Sequence, residues 1–390
     1  MKQRYYSLDV FRGATVAFMI MVNNQAGPSY QPLDHAPWHG VTPTDLVFPF
    51  FLFAVGNAMS FVMPRLQQAG TKDFLSKVIR RTLLIFGIGL FLNWSPFVRW
   101  NNNELVWKGW EWINNNGVLT GIRVMGVLQR IALCYLFASL IVYFFKPKVA
   151  FVISAVVLLC YWVLCLQFGT ANDPYSLNGY WGTSVDLKIF GAAHMYHGEG
   201  VAFDPEGLVS TIPAITQVIF GYFVGNYIQQ KGKNYEMLTN LFVAGVVLLF
   251  AGYCWGMVFP LNKKIWTSSY VLYTTGLAVI VLSVLIFVIE FKGVKGAWSR
   301  FCDVFGKNPL FIFFLSGFLP RVLALIRIPN GRNVAGNTTY VSPFGWFYEH
   351  ICKPISSDLR DGSLFYSVCL IIFFWLIGYV LDKKRIYIKV

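Results

Sequence analysis

Charged side chains are scarce in this sequence of 390 residues: Asp, Glu, Lys and Arg together make up 13% of it. A soluble globular protein carries about 25%, so the shortage excludes an ordinary cytosolic enzyme, a disordered chain and a coiled coil. Hydrophobic residues reach 56% and the mean hydropathy is +0.54. We therefore interpret the chain as an all-α, polytopic integral membrane protein that forms one domain over residues 1–390.

The net charge of +14 does not indicate a nucleic-acid partner. Most Lys and Arg residues lie in short clusters between apolar runs, where they are typical of the topology signals of membrane proteins. The partner that these clusters indicate is the lipid bilayer.

The familiar motifs of metal and nucleotide chemistry are missing as well. The seven cysteines include no CxxC pair, and no HExxH, Walker, Rossmann-glycine or GxSxG motif occurs. His194 and His197 form an HxxH pattern with acids nearby, but the segment is typical of an irregular loop rather than of a zinc site. We therefore expect no metal and no disulfide framework, and any catalysis should consist of proton transfer inside a membrane cavity.

Ten apolar segments are long enough to cross the hydrocarbon core as helices, which takes about 20 residues each. They lie at about residues 7–24, 44–64, 78–96, 122–145, 149–168, 208–229, 238–258, 266–290, 304–327 and 363–381. An even number places both termini on one side. Asp9 and Arg12 interrupt the first segment, which predicts a retained helix rather than a cleaved signal peptide.

The distribution of basic residues indicates which side is cytoplasmic. The basic residues that fall on one predicted face are Lys2, Arg4, Arg65, Lys72, Lys77, Arg80, Arg81, Lys146, Lys148, Lys231, Lys233, Lys292, Lys295, Arg300, Lys383, Lys384, Arg385 and Lys389. This face, with both termini, is predicted to be cytoplasmic. The opposite loops hold all five His and many Trp, Tyr, Asn and Gly residues, which suit either a sugar-binding wall or an interfacial aromatic belt.

The densest polar cluster surrounds the first loop of the outer face. Asn23 and Asn24 end the first predicted helix, and His35, His39 and Asp45 follow before the second. Asp45 could simply favour the N-terminus of the second helix. Alternatively it could orient a histidine, because an imidazole beside a carboxylate is a good general base near neutral pH.

Further charged residues lie inside or next to predicted helices. Asp9 and Arg12 are three residues apart and can pair on one helix face, or Arg12 could bind an anionic cytoplasmic ligand. Arg130 must face the bundle interior, where it could be the partner of a carboxylate such as Asp45. Asn308, followed by Pro309, marks a kinked or half-buried helix start, and its neighbour Lys307 could meet a phosphate. The Asp204-Pro205-Glu206-Gly207 segment is typical of a turn with an acidic cap that opens a helix.

Several motifs together resemble one family. They are Ser7-Leu8-Asp9-Val10-Phe11-Arg12-Gly13, Val22-Asn23, the segment from His35 to Pro49, Gly126-Val127-Leu128-Gln129-Arg130, Phe203-Asp204-Pro205-Glu206-Gly207, Pro260-Leu261-Asn262-Lys263-Lys264-Ile265-Trp266 and Gly306-Lys307-Asn308-Pro309-Leu310. In this order they resemble heparan-α-glucosaminide N-acetyltransferase and its bacterial, NagX-like relatives. The resemblance covers nearly the whole chain.

The resemblance implies a transmembrane acetyltransferase and suggests roles for particular residues. Enzymes of this family take acetyl from cytoplasmic acetyl-CoA and deliver it to the amine of a terminal glucosamine on the far side of the membrane. The animal relative also suggests a homodimer. The family's active-site histidine falls on His35 and its nearby asparagine on Asn23, and we add Asp45 to the catalytic residues as one that orients a histidine. We assign acetyl-CoA binding to Arg12, Arg130, Lys307 and Asn308. We assign binding of the amino-sugar acceptor to Trp38, His39, Asp204, Glu206 and Trp266.

Two questions stay open from the sequence. His35 could be a general base that acts on the acceptor amine, or it could carry the acetyl group itself. A different class of protein, a proton-coupled transporter of amino sugars or cell-wall fragments, would use the same polar residues. The absence of an internal repeat argues against the transporter. In either case we expect the chain in a bacterial inner membrane.

Overall fold

The computed structural model describes residues 5–101, 104–114, 117–332, 336 and 338–388. Lys2, Arg4 and Lys389, which contribute to the predicted cytoplasmic charge, lie outside these residues. The described chain is mostly helical, as the composition predicts. Its α-helices are α1 (Tyr6–Asn23), α2 (Val47–Ala69), α3 (Thr71–Trp94), α4 (Val127–Phe144), α5 (Pro147–Phe168), α6 (Gly182–Phe190), α7 (Leu208–Lys231), α8 (Tyr235–Gly256), α9 (Ser268–Ile286), α10 (Ala297–Lys307), α11 (Pro309–Leu323), α12 (Pro343–Phe347) and α13 (Leu359–Lys383).

Short elements join the helices. 3₁₀ turns lie at Gln31–Leu33, Pro43–Leu46, Ala192–His194 and Lys353–Ile355, and π-helical turns at Phe287–Phe291 and Tyr348–Cys352. Three antiparallel hairpins pair β1 (Val98–Asn101) with β2 (Glu104–Trp107), β3 (Glu111–Ile113) with β4 (Leu119–Gly121), and β5 (Ile328–Arg332) with β6 (Thr338–Val341). The strands are therefore confined to loops, and the body of the protein is a helix bundle.

Nine of the ten predicted spans each coincide with one helix, and the ninth, at 304–327, crosses the break between α10 and α11; the count of ten spans is not confirmed. Seven helices in the described residues are long and apolar enough to cross a membrane, namely α2, α4, α5, α7, α8, α9 and α13. An eighth span results if α10 and α11 are counted together, although they meet at 80°. α1 and α3 form helices of 18 and 24 residues, but their charged residues lower their hydropathy.

The bend between α10 and α11 lies where the sequence predicts a kink. α10 ends at Lys307, Asn308 is its C-cap, and Pro309 is the first residue of α11. Proline lacks a backbone N–H and is tolerated in a first helical turn, so the chain can begin a new helix there in a new direction.

Glycines allow neighbouring helices to approach closely. A Cβ added to Gly13 of α1 would meet the backbone carbonyl of Cys302 in α10, and one added to Gly306 would lie 2.3 Å from the carbonyl oxygen of Asp9. Gly56 of α2 and Gly221 of α7 make a similar contact between those two helices. Small residues at such crossings are typical of membrane helix bundles. These contacts join α1 to α10 and α2 to α7. The end of α1 and the starts of α2, α4 and α7 lie together at one end of the bundle.

Candidate active site

A polar cavity of about 300 Å³ opens at this end of the bundle. Its walls come from the C-terminus of α1, the turn before α2, and the loops before α4, α7 and α9. Residues that line it include Asn23, His35, Trp38, Asp45, Arg123, Tyr196, Glu199, Glu206, Lys263 and Lys264. The topology predicted from the sequence places these loops on one face of the membrane. In the structure they meet at one end of the bundle.

Asp45 is held by the 3₁₀ turn in which it lies. Thr42 caps this turn at Pro43–Leu46, and its backbone N–H donates to Asp45 Oδ2 at 3.1 Å. The backbone N–H of Ala36 donates to the same oxygen at 3.0 Å. The side chain of Asp45 is only 2% exposed. The capping role and the catalytic role considered for Asp45 are therefore compatible, since capping uses Oδ2 and leaves Oδ1 available.

Asp45 Oδ1 lies 2.7 Å from Nδ1 of His35. Because a carboxylate only accepts hydrogen bonds, the neutral imidazole donates its Nδ1–H to Asp45. This tautomer leaves Nε2 as an unprotonated nitrogen, and the side chain of His35 is 47% exposed at the cavity. The geometry is that of a histidine prepared to accept a proton or to act as a nucleophile.

Lys263 lies against this pair, and the sequence reasoning did not assign it to the site. Its Nζ is 3.0 Å from His35 Nδ1 and 3.4 Å from Asp45 Oδ1. Burial lowers the pKa of Lys263, while the carboxylates of Asp45 and Glu206 act in the opposite direction. The available signal was the pair of adjacent lysines, Lys263 and Lys264, in the short predicted loop at 259–265. The ammonium group balances the charge of Asp45 beside the imidazole.

Arg123 organises the opposite wall and was also missed. Its guanidinium binds Asp204 through two nitrogens, with Nε 3.0 Å from Oδ2 and Nη2 2.6 Å from Oδ1, and Nη2 reaches Glu206 at 2.5 Å. Burial alone would raise the pKa of Glu206, but Arg123 and Arg130 hold it below the ordinary value. Glu206 is therefore a carboxylate that faces the cavity. Asp204 is 2% exposed and lies behind it.

The aromatic residues assigned to the acceptor occupy different positions. Trp38 lines the cavity, its Nε1–H donates to the Tyr175 carbonyl at 2.8 Å, and the Lys264 ammonium lies 5.6 Å from its ring. His39 points elsewhere, toward Asn262 at 3.3 Å. Trp266 is fully buried between other side chains, so the expected contact of Trp266 with a substrate has no support from its position.

Arg130 is a buried residue of the bundle rather than a cavity residue. Its guanidinium donates to the Pro205 carbonyl at 2.6 Å and to the hydroxyls of Ser210 and Thr211, and lies 4.9 Å from the ring of Trp266. No carboxylate among the described residues accepts a hydrogen bond from it, so the expected pairing with Asp45 is wrong. Arg130 fixes the start of α7 instead, and a direct contact with a cofactor is not supported by its position.

A second cavity of about 130 Å³ adjoins the first and extends between α1, α2 and α4. The two cavities share Asn23, His35 and Lys263 among their lining residues. The inner walls of the second cavity are apolar and come from Met19, Val22, Val47, Phe48 and Val127. His35 therefore stands where the larger polar cavity meets a smaller cavity whose inner end is apolar.

The remaining predicted cofactor residues lie farther along α1 and around α10. Arg12 precedes Asn23 by 11 residues, or about 16 Å of helix. It pairs with Asp9 at 2.9 Å, as the sequence predicted, and donates to the Gly306 carbonyl. Lys307 pairs with Asp303 at 2.7 Å and with Asp382 at 3.0 Å. The buried side chain of Asn308 bonds the backbone of the C-terminal tail at residues 386 and 388. These residues cluster together, and their binding of a nucleotide stays a prediction.

Metal chemistry has no site in the part of the chain that the structure describes. No group of three or more His, Cys, Asp or Glu side chains there could hold a metal ion. His194 is engaged with the Ile122 carbonyl at 2.7 Å and with Glu111 at 3.0 Å.

Comparisons with known proteins agree on one family. Residues 4–253 match the family model described as heparan-alpha-glucosaminide N-acetyltransferase, catalytic. The chain is 25% identical to the heparan-alpha-glucosaminide N-acetyltransferase of Mus musculus and 26% identical to that of Homo sapiens, over 99% of this chain in both cases. It spans 60% of the length of these relatives.

Proposed function

The chain belongs to the heparan-alpha-glucosaminide N-acetyltransferase family, and we propose that it transfers acetyl from acetyl-CoA to the amine of a glucosamine-type sugar. The observation that carries the proposal is the Asp45–His35 pair, with its 2.7 Å contact, where two adjoining cavities meet. The larger, polar cavity suits the acceptor. The smaller cavity has an apolar inner end that suits the slim thioester arm of the donor.

In the direct mechanism, His35 is the general base. The acceptor nitrogen attacks the thioester carbonyl carbon while Nε2 of His35 takes a proton from that nitrogen. The C–S bond then breaks, and the imidazolium returns the proton to the thiolate of CoA. Asp45 stabilises the imidazolium, as a buried carboxylate does in catalytic triads. Asn23 can donate an amide N–H to the developing oxyanion.

The alternative uses His35 as an acetyl carrier. Nε2 would attack the thioester carbonyl carbon, and the C–S bond would break to release the CoA thiolate. The acceptor amine would then take the acetyl group from the imidazolium, and the proton that this amine loses would neutralise the thiolate. Labelled acetyl-CoA added without acceptor distinguishes the two mechanisms. Label retained on the protein after rapid quenching indicates the carrier, and unlabelled protein indicates direct transfer.

The remaining features of the proposal concern the surroundings of the site. Acetyl-CoA binds from the cytoplasm, with its anionic nucleotide end near Arg12, Lys307 and Asn308, since phosphates favour Lys and Arg. Trp38 and Glu206 contact the acceptor on the far side. Both termini are cytoplasmic, the host membrane is a bacterial inner membrane, and the protein forms a homodimer.

The decisive experiment is acetyl transfer by the purified protein in detergent. The protein receives labelled acetyl-CoA and a panel of glucosamine derivatives, beside the variants His35→Ala and His350→Ala. His350 is an exposed histidine that stacks on Trp346 away from the cavity, so its variant is a matched control. We expect label on the sugar amine with wild type and control, and none with His35→Ala.

Thermal melting with CoA shows whether each variant still folds and binds the donor. Full activity in His35→Ala would refute the site assignment. No transfer to any acceptor, together with no stabilisation by CoA, would refute the acetyltransferase and favour the transporter.

A further inference from the structure

An apolar groove of about 480 Å³ runs along the outside of the bundle between α3 and α11. Its floor and walls are Leu83, Leu84, Gly87, Ile88 and Phe91 of α3, Leu310, Phe311 and Phe314 of α11, and Ile388 of the C-terminal tail. Every one of these residues is apolar or glycine. The groove is open to the surroundings, since Leu83 is 66% exposed and Phe91 is 43% exposed.

The two helices run in the same direction along the groove. Phe91 contacts Phe314 and Phe318, with ring centroids 6.0 and 5.8 Å apart, so the later part of α3 meets the later part of α11. Leu84 therefore lies at the end of the groove where α11 begins. Ile388 lies at that same end, because its backbone N–H donates to Asn308 at 2.8 Å.

Cationic side chains continue from this end. Arg80 precedes Leu84 by one helical turn and Lys77 precedes it by about two, so both lie on the groove face of α3. Both are exposed, and neither makes an ion pair with a residue that the structure describes. Exposed Arg385 stands three residues before Ile388 on the tail. Lys77, Arg80 and Arg385 thus place three positive charges near one end of the apolar groove, against the one negative charge of Asp73, which precedes Lys77 by one turn.

We propose that this groove and the cations at its end bind an anionic phospholipid. One acyl chain lies in the groove, which measures about 11 Å from Leu84 to Phe91 along α3. The phosphate lies among Lys77, Arg80 and Arg385. A chain inside the bilayer gains little from apolar contact alone, so the charge at the headgroup provides the preference for an anionic lipid. The site is independent of the acetyl-transfer reaction.

Charge variants test the headgroup contact. Native mass spectrometry of the full chain in detergent measures binding of added phosphatidylglycerol and phosphatidylcholine. The double variant Lys77→Gln, Arg80→Gln should bind phosphatidylglycerol about 25-fold more weakly, because each basic residue near an anionic lipid contributes roughly fivefold. Binding of phosphatidylcholine should change little. The matched control Lys292→Gln, Lys295→Gln removes two charges from the loop before α10. An equal loss in the control would overturn the proposal.

A groove variant tests the acyl-chain contact. A Cβ added to Gly87 meets nothing within 4 Å, so Gly87→Phe fills the groove without disturbing the bundle. It should reduce binding of both lipids, whereas Val246→Phe, at a 55% exposed position of α8, should not. Unchanged lipid binding in Gly87→Phe would overturn the proposal. A dimer that Gly87→Phe dissociates without loss of lipid would also overturn it, since a second copy of the chain would then cover the groove.

Discussion

Replacing Asp45 by asparagine should nearly abolish acetyl transfer while the protein still folds. The backbone N–H groups of Ala36 and Thr42 both point at Oδ2. They require an acceptor there, so the amide oxygen of the substituted side chain takes that position. The amide NH2 then occupies the place of Oδ1, 2.7 Å from Nδ1 of His35.

This orientation reverses the tautomer of His35. The amide N–H donates to Nδ1, so the imidazole proton moves to Nε2, which can then neither accept a proton nor attack a thioester. The equivalent change in a serine-protease triad lowers kcat about 10⁴-fold, which corresponds to about 5 kcal/mol of transition-state stabilisation. We expect a loss of the same order in kcat, with a much smaller effect on KM.

The assay is the initial rate of labelled acetyl transfer at several acceptor concentrations, which separates kcat from KM. Asp34→Asn is the matched control, because Asp34 is an exposed carboxylate of the same loop that bonds Ser29 and does not line the cavity. Activity of Asp45→Asn within about tenfold of wild type would refute the tautomer argument. An equally large loss in Asp34→Asn would show that the loop, and not the Asp45–His35 pair, is responsible.

Three further predictions concern charge and packing. Lys263→Met should lower kcat, because no ammonium 3.4 Å from Asp45 Oδ1 then balances the charge of that buried carboxylate; Lys263→Arg, which keeps the positive charge, should retain most of the activity. Burial raises the pKa of Asp186 to about 7, with an added contribution from Asp204 and an opposing one from the Leu208 N–H. This pKa lies above the unfolded value of about 3.9, so the folded protein holds the Asp186 proton more tightly than the unfolded chain does. Asp186 therefore adds to the free energy of unfolding below about pH 4, relative to neutral pH. That contribution is lost as the pH rises from about 4 to about 7, by up to about 1.4 kcal/mol per unit, and melting temperatures of Asp186→Asn should lack this slope. Gly306→Ala should destabilise the bundle by about 1–3 kcal/mol, because its Cβ would lie 2.3 Å from the Asp9 carbonyl oxygen; Gly87→Ala, whose Cβ meets nothing within 4 Å, should melt like wild type.

The helices were predictable because their signal is local. About 20 apolar residues in sequence must satisfy their own backbone hydrogen bonds in a membrane, and only a helix does this within one segment. Nine predicted spans accordingly coincide with single helices, and the break inside the ninth, at Asn308–Pro309, follows from the chemistry of proline. The number of spans was harder to predict, because Asp9 and Arg12 in α1 and the basic residues of α3 make those two helices ambiguous by hydropathy.

The centre of the candidate site was also predictable, since His35 and Asp45 lie in one short segment. The turn at Pro43–Leu46 brings them together through contacts between residues 3 to 10 apart. Local spacing and the chemistry of His and Asp suggested that Asp45 orients a histidine, and the family resemblance indicated His35.

The rest of the site depends on contacts between residues far apart in the sequence. Lys263 reaches His35 across 228 residues, and Arg123 reaches Asp204 across 81. Both could equally have been surface cations, and Trp266 and Arg130 could equally have faced the cavity instead of the core. The sequence by itself determined the apolar helices and the short segment that holds Asp45 and its candidate histidines, because each is governed by neighbouring residues. Only the tertiary structure decided which cations meet that pair, because helix packing alone sets which distant loops share one end of the bundle.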